Sequence, residues 1–289
     1  MKITKNVKDE NNSKKYLSSS PSSTQEPAKV QNSDKQYLVN NAFSTLDSFS
    51  INNVEKTEIE VSVVIPCLNE EPTIGECIKK VKNVFGNLNL RGEIIVSDSS
   101  TDNSPVIAKK LGAKVVNPTQ MGYGSAYQTG FSEARGKYII MADADGTYDL
   151  QEISKFIKIL KNNDVDIAIG TRLKGKIFPG AMPRLHRYVG NPLLTLTTNI
   201  LFGTRISDTN CGMRAITKKA WEKIKALSPG MEFASEILIK AAKNKLKIVE
   251  IPITYYPRQG RPSKLNPLKD GFRHLKLLIK LRFTNPFPK

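Results

Sequence analysis

Hydrophobic positions in this chain follow two alternating patterns from residue 58 onward. Short runs of β-branched and aliphatic residues occur at 61–65, 93–96, 114–116, 138–141 and 166–169. Such runs are typical of strands buried on both faces of a sheet. Two of the intervening segments keep apolar residues at helical spacing, namely Ile74, Cys77, Ile78, Val81 and Phe85, and Leu150, Ile153, Phe156, Ile157 and Leu160. The alternation predicts β-α-β units and an α/β fold with a mostly parallel, Rossmann-like sheet flanked by helices.

The second half of the chain has a less regular pattern. Beyond Gly170 it predicts a loop bearing Pro and Arg, an apolar segment at 192–202, two further helices and a strand at 247–256. No stretch reaches the roughly 18 apolar residues that a membrane-spanning helix needs. The amino-terminal region also lacks the apolar core of a secretory signal.

Composition divides the chain into three parts. Residues 1–56 are rich in Asn, Ser, Lys and Gln without periodicity, which predicts a disordered leader. A folded domain is expected at 57–264, followed by a basic amphipathic segment at 265–289. The net charge is +17, of which the leader carries only +2. The folded part is therefore strongly basic, which predicts an anionic partner.

The end of the chain concentrates this positive charge. Residues 258–289 contain nine Lys and Arg but a single acid, Asp270. A helix here would place five apolar residues on one face, namely Leu268, Phe272, Leu275, Leu278 and Ile279. A basic amphipathic helix suits an anionic membrane surface. The alternative is that the apolar stripe packs against the domain.

The three cysteines, Cys67, Cys77 and Cys211, are widely spaced and odd in number. They lack the paired spacing of a metal site, and an unpaired set is typical of a reducing compartment. We therefore expect structural thiols and a cytoplasmic location.

Polar residues follow the first two apolar runs, where open α/β sheets present ligands. Residues 66–70, Pro-Cys-Leu-Asn-Glu, follow the first run. Asn69 and Glu70 alternatively cap a helix that begins near Pro72. After the second run, Asp98 is placed to accept hydrogen bonds from a ribose or a base.

The strongest single signal is a pair of carboxylates after the fourth run. Asp143 and Asp145 are one residue apart, so strand alternation would direct both side chains to the same side. Together they could bind a hard cation that also binds phosphate oxygens. A solvated acidic turn before the next helix is the alternative.

These loops together resemble those of the family-2 glycosyltransferases, which are inverting enzymes of the GT-A fold that use sugar nucleotides. The resemblance covers about 61–264 and rests on motifs at 66–70, 97–102 and 143–145. The chain departs from the family pattern at Ser97 and Ser99. Four further strings, at 120–126, 143–149, 207–214 and 230–236, resemble the polyprenyl-phosphate hexosyltransferase branch, which includes the dolichyl-phosphate glucose and mannose synthases.

The resemblance implies a function and a location. It implies transfer of a hexose from a nucleotide sugar, with UDP-glucose favoured over GDP-mannose, to a dolichyl or polyprenyl phosphate. It further implies Mg²⁺ or Mn²⁺ as cofactor. An enzyme with such a lipid acceptor is expected to be peripheral on the cytoplasmic face of an anionic membrane.

The resemblance also implies roles for individual residues. Donor binding is implied for Pro66, Leu68, Glu70, Asp98, Gly122, Asp143 and Ala144. Metal binding is implied for Asp143 and Asp145, and catalysis for these two with Arg172 and Asp208. Contact with the acceptor phosphate is expected from Arg172, Arg184, Arg187, Arg258 and Lys264.

Two other functions compete with this interpretation. Transfer to a hydroxyl, a poorer nucleophile, would need a carboxylate base, for which Asp208, Glu232 and Glu236 are candidates. Nucleic-acid binding would also account for the charge. However, the sequence has none of the compact DNA- or RNA-binding motifs, so no nucleic-acid partner is expected.

Overall fold

The computed structural model of the chain describes residues 58–162, 164–259 and 267–284. The predicted leader at 1–56, Lys264 and the side chain of Leu268 lie outside the described residues. The described part forms seven strands: β1 (Val61–Cys67), β2 (Gly92–Asp98), β3 (Lys114–Val116), β4 (Tyr138–Met141), β5 (Ile167–Ile177), β6 (Arg214–Thr217) and β7 (Ile248–Tyr255). They make one sheet in the order β3-β2-β1-β4-β6-β5-β7.

The sheet is parallel except around one strand. β1 pairs in parallel with β2 and β4, β2 with β3, and β5 with β7. β6 lies antiparallel between β4 and β5. The mostly parallel α/β sheet predicted from the hydrophobic pattern is therefore confirmed.

Helices cover both predicted amphipathic segments. In the described residues they are α1 (Glu71–Asn87), α2 (Ser104–Lys110), α3 (Tyr123–Ser132), α4 (Ile153–Asn162), α5 (Asn191–Phe202), α6 (Lys218–Ile224), α7 (Phe233–Lys243) and α8 (Pro267–Phe283). A 3₁₀ turn, Leu150–Glu152, precedes α4, and a π-helical turn, His186–Gly190, precedes α5. The apolar residues that predicted α1 and α4 face the core, with Phe85 only partly buried.

Two features of the sheet differ from the sequence prediction. Strand β6 was not predicted, because its four residues, Arg-Ala-Ile-Thr, do not form a continuous apolar run. Strand β5 continues to Ile177, where a loop was predicted beyond Gly170, because its outer half pairs with β7 through Lys176 and Thr254. Arg172 consequently lies within a strand and not in a loop.

A buried arginine ties the loop before β6 to helix α7. The Arg214 guanidinium is fully buried and donates to the carbonyl oxygens of Thr209 (2.8 Å), Cys211 (2.9 Å) and Ala234 (2.6 Å). Because burying an unpaired guanidinium is costly, these three bonds fix the path of the loop. The loop carries Asp208 and Gly212, and so its position matters for the site.

The C-terminal helix α8 is amphipathic, but its apolar residues lie on two faces, one buried and one exposed. Leu278 and Leu281 are buried against Ile239 of α7. Phe272, Leu275 and Ile279 are exposed. The single apolar stripe expected from the sequence is therefore divided, and part of it packs on the domain. Within the part of the chain that the structure describes, no helix has the length and hydrophobicity to cross a bilayer.

Candidate functional site

Three loops meet at one edge of the sheet. Strand β1 lies between β2 and β4 and is parallel to both, so the carboxyl ends of all three strands point to the same edge. Asp98 is the last residue of β2, and the loops after β1 and β4 carry Glu70 and the pair Asp143 and Asp145. Ligands of open α/β sheets bind at this position.

Hydrogen bonds join the loops after β1 and β2. Asp98, which is buried, accepts from the Ser100 backbone N–H (3.1 Å) and hydroxyl (2.6 Å). The Asn69 side chain accepts from the Thr101 backbone N–H (2.7 Å), with its own backbone at φ 58°. Glu70 occupies the N-cap position of α1 but makes no side-chain cap bond. The side chains of Asn69 and Glu70 therefore do not provide the helix cap considered as an alternative.

Asp143 is held between two tyrosines and a glycine. Its Oδ1 accepts hydrogen bonds from the Tyr127 hydroxyl (3.1 Å) and the Tyr123 hydroxyl (3.4 Å). A Cβ on Gly212 would lie 2.5 Å from Asp143 Oδ2, so any larger residue would collide with the carboxylate. Burial, and then the negative charge of Asp145, raise the pKa of Asp143. A cation bound here would relieve both effects.

Asp145 is bonded to its own loop and to a distant arginine. Its Oδ1 accepts from the Thr147 backbone N–H (3.0 Å) and hydroxyl (2.6 Å). Its Oδ2 accepts from Arg258 Nη1 at 2.5 Å, while Arg258 Nη2 forms an ion pair with Glu70. Arg258 therefore bridges two acids for which the sequence implied a role in binding donor or metal.

The carboxylate pair suits a hard divalent cation. Mg²⁺ and Mn²⁺ prefer carboxylate oxygens, and Mg²⁺ sites often complete their shell with water and substrate phosphates. The described residues contain no cluster of three or more acidic, His or Cys side chains that could hold a metal alone. Strand alternation does not set the directions of the two side chains, contrary to the prediction, because strand β4 ends at Met141, before both residues.

Two other residues predicted to bind the nucleotide-sugar donor, Gly122 and Ala144, are packed against other parts of the chain. Gly122 has φ 147°, and a Cβ there would lie 2.3 Å from the carbonyl oxygen of Pro229. Ala144 is buried, and its carbonyl oxygen faces the Cys77 thiol at 3.5 Å. Neither position offers a side chain to a ligand. Pro66 lies within β1, and Leu68 is half-buried in the loop that follows.

Arg172 and Asp208 form a buried ion pair. Arg172 Nε and Nη2 donate to the two carboxylate oxygens at 2.7 and 2.8 Å, and the Arg172 backbone N–H donates to Oδ2 at 3.1 Å. The guanidinium also lies over the Tyr255 ring, 5.1 Å from its centroid. Because Asp208 is fully buried and Arg172 nearly so, this geometry leaves the guanidinium little access to a bound phosphate.

The remaining predicted residues lie elsewhere. Arg184 is exposed just before the π-helical turn, and Arg187 is half-buried within it. Glu236 is buried, accepts from the backbone N–H groups of Leu227 (2.9 Å) and Ser228 (2.6 Å) and pairs with Lys240. Glu232 accepts from the Gly230 backbone N–H (3.3 Å) through one oxygen only.

The residues that surround Asp143 were not predicted from the sequence to have a role. Tyr123 and Tyr127 are one turn apart on α3, so both hydroxyls reach the same carboxylate. The spacing of four residues was a usable signal, since such pairs share a helix face. Gly212 carried no comparable signal, because its neighbour Asp143 is 69 positions away in the sequence.

The fold and the family comparison define the class of the protein as a glycosyltransferase. Residues 62–225 match the family model described as glycosyl transferase family 2, and the chain belongs to that family. A crystal structure of glucosyl-3-phosphoglycerate synthase from Mycobacterium tuberculosis, in complex with Mn²⁺, UDP and glucosyl-3-phosphoglycerate, aligns with a TM-score of 0.61 at 22% identity. The alignment covers 80% of this chain and 82% of that one. The predicted GT-A fold is confirmed.

Two relatives from Haloferax volcanii are similar in sequence. One, named low-salt glycan biosynthesis hexosyltransferase Agl6, is 47% identical over 219 residues, which is 76% of this chain and 53% of that protein. This chain thus spans about half of that relative's length. The other, named dolichyl-phosphate hexose transferase, is 31% identical over 228 residues, which is 78% of this chain and 96% of that protein.

Proposed function

We propose that this enzyme transfers a hexose from a nucleotide sugar, with UDP-glucose as the favoured donor, to a dolichyl or polyprenyl phosphate. The observation that carries the proposal is the carboxylate pair Asp143 and Asp145 at the carboxyl edge of the sheet, the same edge at which the buried Asp98 ends β2. The name of the relative called dolichyl-phosphate hexose transferase supports the lipid acceptor.

The proposed donor site uses the three loops at this edge. Asp98 would accept a hydrogen bond from the nucleoside, and its own bonds to Ser100 hold the carboxylate in place. Asp143 and Asp145 would hold Mg²⁺ or Mn²⁺. The bound metal would neutralise the negative charge that develops on the leaving diphosphate. The Mn²⁺ bound together with UDP in the aligned Mycobacterium tuberculosis enzyme supports this choice of ions.

The proposed reaction is a single displacement that inverts the anomeric carbon. An oxygen of the acceptor phosphate forms a bond to that carbon while the bond to the donor diphosphate breaks. A phosphate monoester has a second pKa near about 6, so the attacking oxygen is already an anion at neutral pH. The enzyme then needs to position the acceptor more than to remove a proton from it.

The acceptor phosphate would be positioned by basic side chains. Arg258 is the described candidate that pairs with a carboxylate of the site. Arg184 and Arg187 remain candidates, as does Lys264, which lies outside the described residues. For Arg172 we propose positioning of Asp208 and of the loop before β6, because their bidentate pair is buried.

The proposed reaction would take place on the cytoplasmic face of a membrane, with the enzyme bound peripherally. Three buried free thiols fit a reducing compartment, and burial raises the pKa of each to about 12. Such thiols are protonated and unreactive at neutral pH.

The decisive experiment is a transfer assay with lipid extraction. Purified protein is incubated with labelled UDP-glucose, GDP-mannose or UDP-N-acetylglucosamine, a polyprenyl phosphate and Mn²⁺ or Mg²⁺. We expect one of the three donors to carry label into the organic phase, and we expect that donor to be UDP-glucose. Label that appears only in a water-soluble glycan would contradict the lipid acceptor.

The same assay distinguishes the hydroxyl-acceptor alternative. Among the acids considered as bases, Asp208 and Glu236 are fully engaged inside the protein, whereas Glu232 has one buried oxygen without a hydrogen-bond partner. A base mechanism would make Glu232→Gln inactive. For a phosphate acceptor we expect Glu232→Gln to keep transfer within about threefold of wild type, since no proton must be removed.

We also predict that Arg258 competes with metal for Asp145. Its guanidinium contributes positive charge at the position where the cation would bind, so Arg258→Ala should increase Mn²⁺ affinity in the absence of donor by about tenfold. Titration followed by electron paramagnetic resonance measures this affinity, with Arg91→Ala as a matched control. An unchanged Mn²⁺ affinity in Arg258→Ala would show that the two cations occupy separate positions.

A further inference from the structure

Helix α5 packs Leu194, Leu201 and Phe202 against the domain, but it exposes its other large apolar residues while burying polar ones. The residues that it buries are Asn191, Thr195 and Thr198, whereas Leu193, Leu196 and Ile200 are exposed. Ile200 keeps 72% of its surface open to solvent. A helix on the surface of a soluble domain normally turns its apolar stripe toward the core. The exposed leucines and isoleucine of α5 therefore call for a partner outside the domain.

Helix α8 and the π-helical turn extend the same surface. Phe272, Leu275, Ile279 and Phe283 are exposed on α8 at spacings of three and four residues, and thus lie on one face. Leu185, Tyr188 and Val189 are exposed at the turn. Both elements pack against α5. We call these seven residues, with Leu193, Leu196 and Ile200 of α5, the exposed apolar face.

The exposed apolar face accounts for most of the large hydrophobic surface of the described residues. Ten of their thirteen exposed large hydrophobic side chains belong to it. Scattered single residues need no explanation, but a contiguous group of this size marks an interaction site.

Positive charge is interspersed with this surface. Residues 183–203 and 271–284 contain six Lys and Arg and no Asp or Glu. Arg184, Arg273, Lys276, Lys280 and Arg282 are exposed. Asp270, just before the second stretch, pairs with Arg273 at 3.5 Å. Apolar side chains surrounded by cations match the two layers of an anionic bilayer surface, where acyl chains lie beneath negative headgroups.

The buried side of helix α5 contacts a loop of the candidate active site. Asn191, at the start of α5, accepts a hydrogen bond from Asn210 (2.8 Å), and Thr195 accepts one from the Thr209 backbone N–H (3.2 Å). Both partners belong to the loop that carries Gly212 against Asp143. Helix α5 therefore begins one loop away from the carboxylates.

We infer that the exposed apolar face docks the enzyme on the surface of an anionic membrane, with α5 and the π-helical turn as part of the contact beside α8. Its use in catalysis rests on the proposed lipid acceptor, since docking would bring a headgroup phosphate to the site. The surface itself is defined by exposure and charge. No helix needs to cross the bilayer for this contact, because side chains from three adjacent elements enter the interface together.

The test is flotation with vesicles of phosphatidylcholine containing about 30% phosphatidylglycerol, a composition that supplies anionic headgroups. We expect wild-type protein to float at low salt and to lose about tenfold in bound fraction at about 0.5 M salt. Ile200→Asp combined with Phe272→Asp should lower binding by at least about tenfold. Lys276→Glu combined with Lys280→Glu should lower binding to the anionic vesicles only. Val106→Asp changes an exposed apolar residue of α2 and should float as wild type does.

Several outcomes would overturn the inference. Equal flotation of the Ile200→Asp, Phe272→Asp protein and wild type would do so, as would equal wild-type binding to neutral vesicles. A dimer that forms without vesicles and that Ile200→Asp dissociates would assign the face to a second copy of the chain. Ile200→Asp and Phe272→Asp are also tested singly. If circular dichroism shows that one single variant is misfolded, the other single variant still tests the inference.

These experiments can contradict the docking inference and the proposed function independently of each other. Asp145→Ala should float as wild type does, because the carboxylate is not on the exposed apolar face. Wild-type protein that floats but transfers no sugar to any lipid phosphate would contradict the proposed function alone. Wild-type protein that glycosylates a short-chain, water-soluble prenyl phosphate but does not float would contradict the docking inference alone.

Discussion

Replacement of Asp145 by alanine is expected to lower the rate of sugar transfer by at least about a hundredfold, because it removes one of two protein ligands of the proposed metal. Asp143→Ala should be nearly as damaging. The fold should survive the Asp145 change, since the residue lies in a loop, its Oδ1 bonds only to Thr147, and Arg258, the partner of its Oδ2, keeps its ion pair with Glu70. Loss of those bonds costs about 1 kcal/mol.

Two measurements separate loss of metal from loss of structure. Mn²⁺ binding in the presence of UDP should fall in Asp145→Ala, while the thermal unfolding midpoint should move by only a few degrees, as about 1 kcal/mol implies. Asp149→Ala is the matched control, because that carboxylate lies in the same segment and caps the 3₁₀ turn through Gln151. Substantial transfer by Asp145→Ala, or wild-type transfer that a chelator does not affect, would contradict the metal hypothesis.

Sequence patterns predicted the parts of this protein that depend on periodic burial. Strands β1, β2 and β4 are buried on both faces, so their apolar runs are continuous and visible. The position of Asp143 and Asp145 followed from the end of such a run together with the family resemblance. The choice of strand ends as the ligand edge required only the parallel order of the sheet.

The contacts of individual side chains were not predictable in the same way. Arg258 meets Asp145 across 113 positions of sequence, and Arg172 meets Asp208 across 36. Such pairs depend on how distant elements pack, which no local pattern encodes. Helix α5 is a further example. The sequence predicted one apolar segment at 192–202, but only the structure shows that Leu193, Leu196 and Ile200 face outward.

The buried pair of Arg172 and Asp208 provides the second large expected effect, this time on stability. Asp208→Ala would leave the Arg172 guanidinium buried without its counter-charge and without the acceptors of its two hydrogen bonds, and it would also remove the acceptor of the Arg172 backbone N–H. Breaking a buried ion pair by removing one partner typically costs about 3–5 kcal/mol. We therefore expect the free energy of unfolding to fall by that amount.

Breaking this buried pair should cost more stability than breaking an exposed ion pair, and the test compares the two costs. Urea unfolding of Asp208→Ala is compared with Glu133→Ala, which removes an exposed partner of Lys114 and should cost less than about 1 kcal/mol. Replacing both charges, as Arg172→Met with Asp208→Leu, should recover more than half of the loss, because no unpaired charge stays buried. If Asp208→Ala is instead as stable as wild type but inactive, Asp208 acts in the chemistry, and the hydroxyl-acceptor mechanism with a carboxylate base gains support.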